Sequence, residues 1–248
     1  MLPAMTVPII FDHTLRAVRR HRERPDAFLR QQLELRALDS ARLLNISVRQ
    51  ILLLGLSSEN FLHELQMIFP DAAITQHRIK ADEKLQPAAA PDFVIDLGEL
   101  GLANDLPGLL IQVQKALTSG GVFFGFIYGG QSLQELRTAL LQAETELRGG
   151  AAARLHPMLA LDSAIMLLQR AGFSSPVADR EPLALTYPDM KSVARDFRDA
   201  GLSNALASQF RGGVPRRLFN ETERLWRNES GRLPLTLEIL TLTGWSKS

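Results

Sequence analysis

No cysteine occurs among the 248 residues. That excludes disulfides, cysteine-ligated zinc and thiol catalysis, and suits a reducing compartment. Tryptophan and tyrosine number two each, too few for the base-stacking surface of a nucleic-acid binder. Positive and negative charges nearly cancel at +1, so no global field attracts nucleic acid or anionic lipid. No apolar run approaches the ~20 residues of a membrane span, and no transmembrane segment is expected. The five histidines (His13, His21, His63, His77 and His156) lack metal-ligand spacing, so no metal site is expected. No Gly-x-Ser-x-Gly elbow supports hydrolase chemistry. Met1 to Ile10 lacks the charged start and apolar stretch of a secretory leader.

What is present is an ordinary globular composition, 46% apolar and 22% charged. The length suits one α/β domain over 1–248, with a helical segment at about 11–44. Within that segment Phe11, Leu15 and Val18 form one apolar stripe. Phe28, Leu33, Leu35, Leu38 and Leu43 form another beyond Pro25. Five arginines, Arg16, Arg19, Arg20, Arg22 and Arg24, fall on several helix faces and read as a solvated helix. Ile51 to Leu54 is a continuous apolar run, as in a strand buried on both faces. Further strands are expected at Ala72–Gln76, Phe93–Leu97, Val122–Tyr128, Val177–Thr186 and Leu235–Gly244. Helices are expected between them at Phe61–Phe69, Leu106–Leu117, Ser132–Arg148, Ala160–Ala171, Met190–Ala200 and Arg217–Arg227. Strands alternating with helices indicate a doubly wound, mostly parallel sheet. Pro182 favours a sheet edge, and the closing strands suggest an antiparallel pair there.

Several segments, in order, carry a family likeness. They are Phe11-Asp12, Asn104-Asp105-Leu106-Pro107, Gly120-Gly121-Val122-Phe123, Gly129-Gly130-Gln131-Ser132-Leu133-Gln134-Glu135-Leu136-Arg137 and Ala143-Glu144-Thr145-Glu146. Leu168-Gln169-Arg170-Ala171-Gly172-Phe173, Tyr187-Pro188, Gly201-Leu202-Ser203-Asn204 and Leu242-Thr243-Gly244-Trp245 follow. Together they resemble the methyltransferase-like proteins that include mitochondrial complex I assembly factor 5 and its bacterial relatives, related to the biotin-pathway enzyme that methylates malonyl-acyl carrier protein. The resemblance implies a Rossmann-like class I S-adenosylmethionine (SAM) fold whose last strand is antiparallel. It also implies a protein partner in complex I assembly, and a bacterial cytoplasmic or mitochondrial matrix location. The eukaryotic relative is linked to arginine hydroxylation, but no iron-ligand triad is visible here.

The chain departs from that family around the cofactor. The acidic residue and Gly-x-Gly-x-Gly that close the first strand fall here on Leu53, Gly55, Ser57 and Glu59. Glycines let the backbone approach a ligand; Ser57 and Glu59 add side chains there. The ribose-binding acid at the end of the second strand is near Gln76, which cannot give a charged, bidentate grip. The usual His-Trp after the fourth strand aligns with Gly101-Leu102. Only 16 residues, His77 to Asp92, precede the strand at Phe93. The family's helix, strand and helix need roughly 28 residues there. Six strands are therefore expected, without the edge strand three, and Thr75 to Arg78 should lie at an exposed edge. If SAM binding is retained, its contacts are Gly55, Ser57, Gln76, Asp82, Glu83 and Asp96. The residues themselves read Asp82 and Glu83 as a solvated loop rather than adenine contacts, and Asp96 as a cap as readily as a site residue.

The later half keeps the resemblance, which points there for function. The expected partner surface comprises Tyr128, Gly129, Gly130, Glu135, Arg137, Tyr187 and Asn204, since Tyr and Arg are frequent interface anchors. The bland alternative is a strand–helix turn with a surface ion pair. The leading reading is a non-methylating protein-binding relative without a cofactor; the runner-up is an active SAM-dependent methyltransferase with a remodelled pocket.

Overall fold

Strands with unbroken apolar sequence form the middle of the sheet. The computed structural model describes residues 8–150, 152–208 and 214–247; most of the stretch read above for a leader lies outside them. The strands are β1 (Gln50–Leu54), β2 (Ala73–His77), β3 (Phe93–Leu97), β4 (Val122–Tyr128), β5 (Ser174–Tyr187) and β6 (Leu233–Trp245), in the order β2-β1-β3-β4-β6-β5. Pairing is parallel from β2 to β4 and antiparallel where β6 meets β4 and β5. Every residue of β3 and β4 is buried. Alternate side chains serve opposite faces, as strand geometry requires. Leu53, Ile95 and Phe124 join α2 (Phe28–Arg42), α3 (Glu59–Ile68) and α5 (Gln134–Arg148) on one face. Leu52, Val94 and Phe123 join α4 (Leu106–Ala116) and α6 (Leu161–Ala171) on the other.

The expected six strands and the missing edge strand are found. β2 is the sheet edge, with Thr75 and Gln76 exposed. Residues 78 to 92 cross to β3 without helix or strand. Arg78 corrects the expectation: it turns inward to Glu23, 2.8 Å away, because two buried carboxylates there need cations. Pro182 lies on β5, the opposite edge, where a missing N–H is harmless. Gly172 caps α6 in the left-handed region, and Phe173 stacks on Phe123 at 5.5 Å. A side chain at Gly244 would meet the Phe173 ring at 2.7 Å. These two matching segments are thus halves of one packing contact.

The N-terminal helical reading needs two corrections. The segment is not continuous. α1 (His13–Arg19) passes into a 3-10 turn at Arg20–Arg22, and a turn at Pro25 and Asp26 precedes α2. Proline's fixed φ and missing donor explain the break. The apolar stripes are only partly in phase. Phe11, Leu33 and Leu38 are buried, whereas Val18, Phe28, Leu35 and Leu43 are exposed and Leu29, Ala37 and Ala41 are buried in their place. α2 buries Leu29, Leu33, Ala37 and Ala41, one every fourth position, together with Arg30 and Glu34. The remaining helices, α7 (Met190–Asp199) and α8 (Arg216–Trp226), match expectation within a residue.

Candidate functional site

Open α/β sheets bind ligands at the carboxyl ends of their strands. Here that crevice is filled from within. The turn after β1 begins at Gly55, whose φ of +109° only glycine adopts readily, with the Leu97 carbonyl oxygen 3.2 Å from the position of a Cβ. Ser57 and Ser58 follow, both buried. Ser58 caps α3, its hydroxyl accepting from the Phe61 N–H at 3.1 Å. Its own N–H and hydroxyl donate to Glu34 at 2.6 and 2.7 Å. Burial pushes the Glu34 carboxyl up, against those two bonds. Glu59, read above as crowding the ligand, is exposed at the helix start. Gln76 donates to the Gly55 carbonyl at 2.7 Å, so its amide closes the turn.

Above this turn lies an ion network absent from the sequence reading. Glu99 is shared by Arg16 at 3.7 Å, Arg78 at 3.3 Å, and Arg20. Glu23 is shared by Arg78 at 2.8 Å and Arg30 at 3.5 Å. Arg30 also donates to the carbonyls of Leu56 at 2.9 Å and Ala200 at 3.1 Å, and Arg16 to that of Leu102 at 2.8 Å. Arg16 and Arg30 are 8% and 6% exposed, and the burial of Arg16 corrects the solvated reading for that member of the arginine run. Their spacing explains it: Arg16 and Arg20 stand four residues apart and face inward together, whereas Arg22 and Arg24 point to solvent. Burial lowers the pKa of Arg16 and Arg30. Burial also works against Arg78, but Glu99 and Glu23 raise it overall. His156 borders the same space, edge-on to Phe11 at 5.7 Å. Burial, then Arg16 and Arg137, lower its pKa to about 4, so it is neutral.

The other sequence-singled residues divide by role. Asp96 is fully buried, and its Oδ1 accepts from the N–H groups of Glu99 and Leu100 at 3.0 and 3.1 Å. Its capping reading holds; desolvation raises its pKa well above the ordinary range. Asp82 is exposed. Glu83 is 8% exposed, which overturns the solvated-loop reading. It accepts from the N–H groups of Asn104 and Asp105, both at 2.6 Å, and lies 2.8 Å from His13. Asn104 in turn accepts from Ile10 and Phe11 at 2.8 Å. Glu83 is a clasp for the N-terminal segment.

Much of the expected partner surface is interior. Tyr128 is 8% exposed and donates to the Leu29 carbonyl at 2.7 Å. Tyr187 is 7% exposed; burial and then Asp196 raise its pKa. A side chain on Gly129 would strike Glu238 at 2.3 Å. The Gly130 N–H donates to Leu159 at 2.8 Å. Glu135 accepts from the N–H and hydroxyl of Thr236, at 3.2 and 2.6 Å. Gly129 and Glu135 stitch the start of α5 to β6, and Gly130 ties the same turn to Leu159, as in a strand–helix turn. Asn204 is half-buried, its carbonyl accepting from Arg19. Arg137 is exposed.

The cavity among the arginines is about 40 Å³, too small for SAM beside the ~300 Å³ or more of a typical ligand pocket, whereas Asp82 and Glu83 line a separate open groove of about 960 Å³. A sulfonium cation would also enter among guanidinium groups, with like charges unfavourable at short range. Among the described residues, no cluster of three His, Asp or Glu is placed to hold a metal, and no helix is long and apolar enough to cross a membrane.

No family model matches the chain. The chain is 34% identical over 175 residues to the mouse (Mus musculus) protein "Arginine-hydroxylase NDUFAF5, mitochondrial", covering 67% of this chain and 50% of that one. It is 31% identical over 171 residues to malonyl-[acyl-carrier protein] O-methyltransferase of Gallionella capsiferriformans, covering 66% and 56%. The chain thus spans about half the length of the curated relatives it matches. Among solved structures, the Bacillus subtilis YcgJ protein superposes with a TM-score of 0.56 at 9% identity, over 88% of this chain and 99% of that one. With the strand order and the two sequence likenesses, the chain belongs to the class I methyltransferase-like family.

Proposed function

We propose that this chain is a non-methylating member of its family that works by binding a protein partner, a subunit or assembly factor of respiratory complex I. The observation that carries this reading is the filled crevice. Arg16, Arg30 and Arg78, with Glu23 and Glu99, crowd one small cavity and leave it too little room for a nucleoside cofactor. The likeness to the mouse arginine-hydroxylase supports the partner class. The compartment follows that partner: the bacterial cytoplasm, or the mitochondrial matrix in a eukaryote. Within the expected surface, Arg137 is the exposed cation available to a partner.

Calorimetric titration with SAM and S-adenosylhomocysteine tests the first half. Binding weaker than ~1 mM, about −4 kcal/mol, is expected. A micromolar dissociation constant sinks the reading and promotes an active methyltransferase with a remodelled pocket. For the second half, Arg137→Ala should weaken capture of complex I components while leaving the melting temperature within a degree or so, as for an exposed substitution. Undiminished capture by this variant removes Arg137 from the surface.

A further inference from the structure

We infer that the groove between α5 and α7 receives a short amphipathic helix of the protein partner, its apolar side on the floor and its carboxylates toward Arg19 and Arg22. The inference deepens the proposed function and rests on its protein-binding half. The groove encloses about 340 Å³. Leu136 and Leu140 of α5, with Met190, Val193 and Phe197 of α7, supply its floor. Phe197 packs on the core yet is only half-buried, as are Leu155 and Leu202 beside it. Ala194 is exposed and Val214 is 45% exposed, so the apolar lining reaches solvent.

The rim carries one sign of charge. Among the described residues no Asp or Glu lines the groove, whereas Arg19, Arg22 and Arg154 do. Arg154 is satisfied by Glu144 at 2.7 Å. Arg22 is exposed and Arg19 half-buried, and neither forms an ion pair with a described residue. Arg19 donates to the Asn204 carbonyl, a neutral acceptor. Burial and then Arg22 lower the Arg19 pKa, and Asp12, the cap of α1, opposes this only in part. Glu23, the acid in the adjoining cleft, is engaged by Arg30 and Arg78. Arg137, exposed beside Leu136, continues the positive charge along α5. Carboxylates next to an apolar face complement such a surface. The α7 wall from Met190 to Phe197 is about 10 Å long by helix rise, the reach of positions i to i+7 on a docked helix. Because the groove is open, a bound acyl chain would stay wetted along one side, whereas an amphipathic helix keeps its polar side there.

Fluorescence-anisotropy titration of the full chain tests this with two synthetic helices of about 14 residues, each with Leu at i, i+3, i+4 and i+7. One flanks the leucines with Glu, the other with Lys. Saturable binding of the Glu helix, about tenfold tighter than the Lys helix, is expected. Arg22→Glu and Ala194→Glu, both at exposed positions, should each weaken it about tenfold and leave the melting temperature nearly unchanged. Equal binding of the two helices, binding of neither, or full affinity in both variants overturns the inference. So does binding of dodecanoate alone, or a dimer in sedimentation that Ala194→Glu dissolves, since either gives the groove another occupant. Capture of complex I components separates the two claims. A wild-type chain that binds the Glu helix but captures none of them overturns the proposed partner, whereas capture undiminished by both variants overturns this inference alone.

Discussion

The two ends of the sheet's ligand-facing rim are built from opposite materials. Over β1 and β3, charged side chains crowd the crevice: four arginines, two glutamates and the buried acids Glu34 and Asp96. Over β4 and β6 the closure is mostly backbone. The Gly129 N–H donates to the Glu238 carbonyl at 2.8 Å, and the Ser132 hydroxyl both accepts from the Glu238 N–H at 2.9 Å and donates to its carbonyl. The second region is the one that resembles the family most clearly, yet its residues bind each other. The first has lost the family's motif and carries the unusual electrostatics. Resemblance here follows packing constraint: Gly129 cannot carry a side chain against Glu238.

The largest effect should come from the charged end. Glu99→Gln leaves Arg16, Arg20 and Arg78 without their shared anion and should lower unfolding stability by ~3–5 kcal/mol in denaturant titration. A loss below ~1 kcal/mol would mean that solvent already compensates the arginines. Next comes His156. Its folded pKa, about 4, lies below the unfolded 6.5. Stability from this group is therefore complete above pH 6.5 and is lost as pH falls toward 4, by up to ~3 kcal/mol. Measured stability from pH 7 to 4 should show that slope, and His156→Phe should flatten it.

Smaller effects are expected where backbone closes the sheet. Ser132→Ala strips a buried hydroxyl from both groups of Glu238 and should destabilise by ~1–3 kcal/mol in denaturant titration. Glu135→Ala, half-exposed, should remove ~1 kcal/mol or less, read as a small shift in melting temperature. If Glu135→Ala instead abolished partner capture in folded protein, the contrast between the two ends would fail.

Much of the architecture was legible residue by residue. The unbroken Ile51–Leu54 run, the 16-residue gap before Phe93 and Pro182 pointed to a central strand, a missing edge strand and an edge position. The site was less legible. Arg30 and Arg78 lie far from Glu23 and Glu99 in sequence or sit in unrelated elements, and nothing in local spacing pairs them. Arg16 and Arg20 did carry a signal, a four-residue offset on one helix face, but the arginines around them obscured it. Tyr128 and Tyr187 looked like interface anchors because tyrosine serves both surfaces and interiors.

Sequence alone determined strand and helix identity, since hydrophobic period and turn residues act over a few neighbours. It also carried the departures at Leu53, Ser57, Glu59 and Gln76 from the family's glycines and acids. Tertiary structure decided what those positions and their neighbours do. The phase of α2, the inward turn of Arg78 and the clasp of Glu83 on Asn104 depend on which distant groups meet once the sheet closes. Burial there makes each charge seek a partner that no local pattern names.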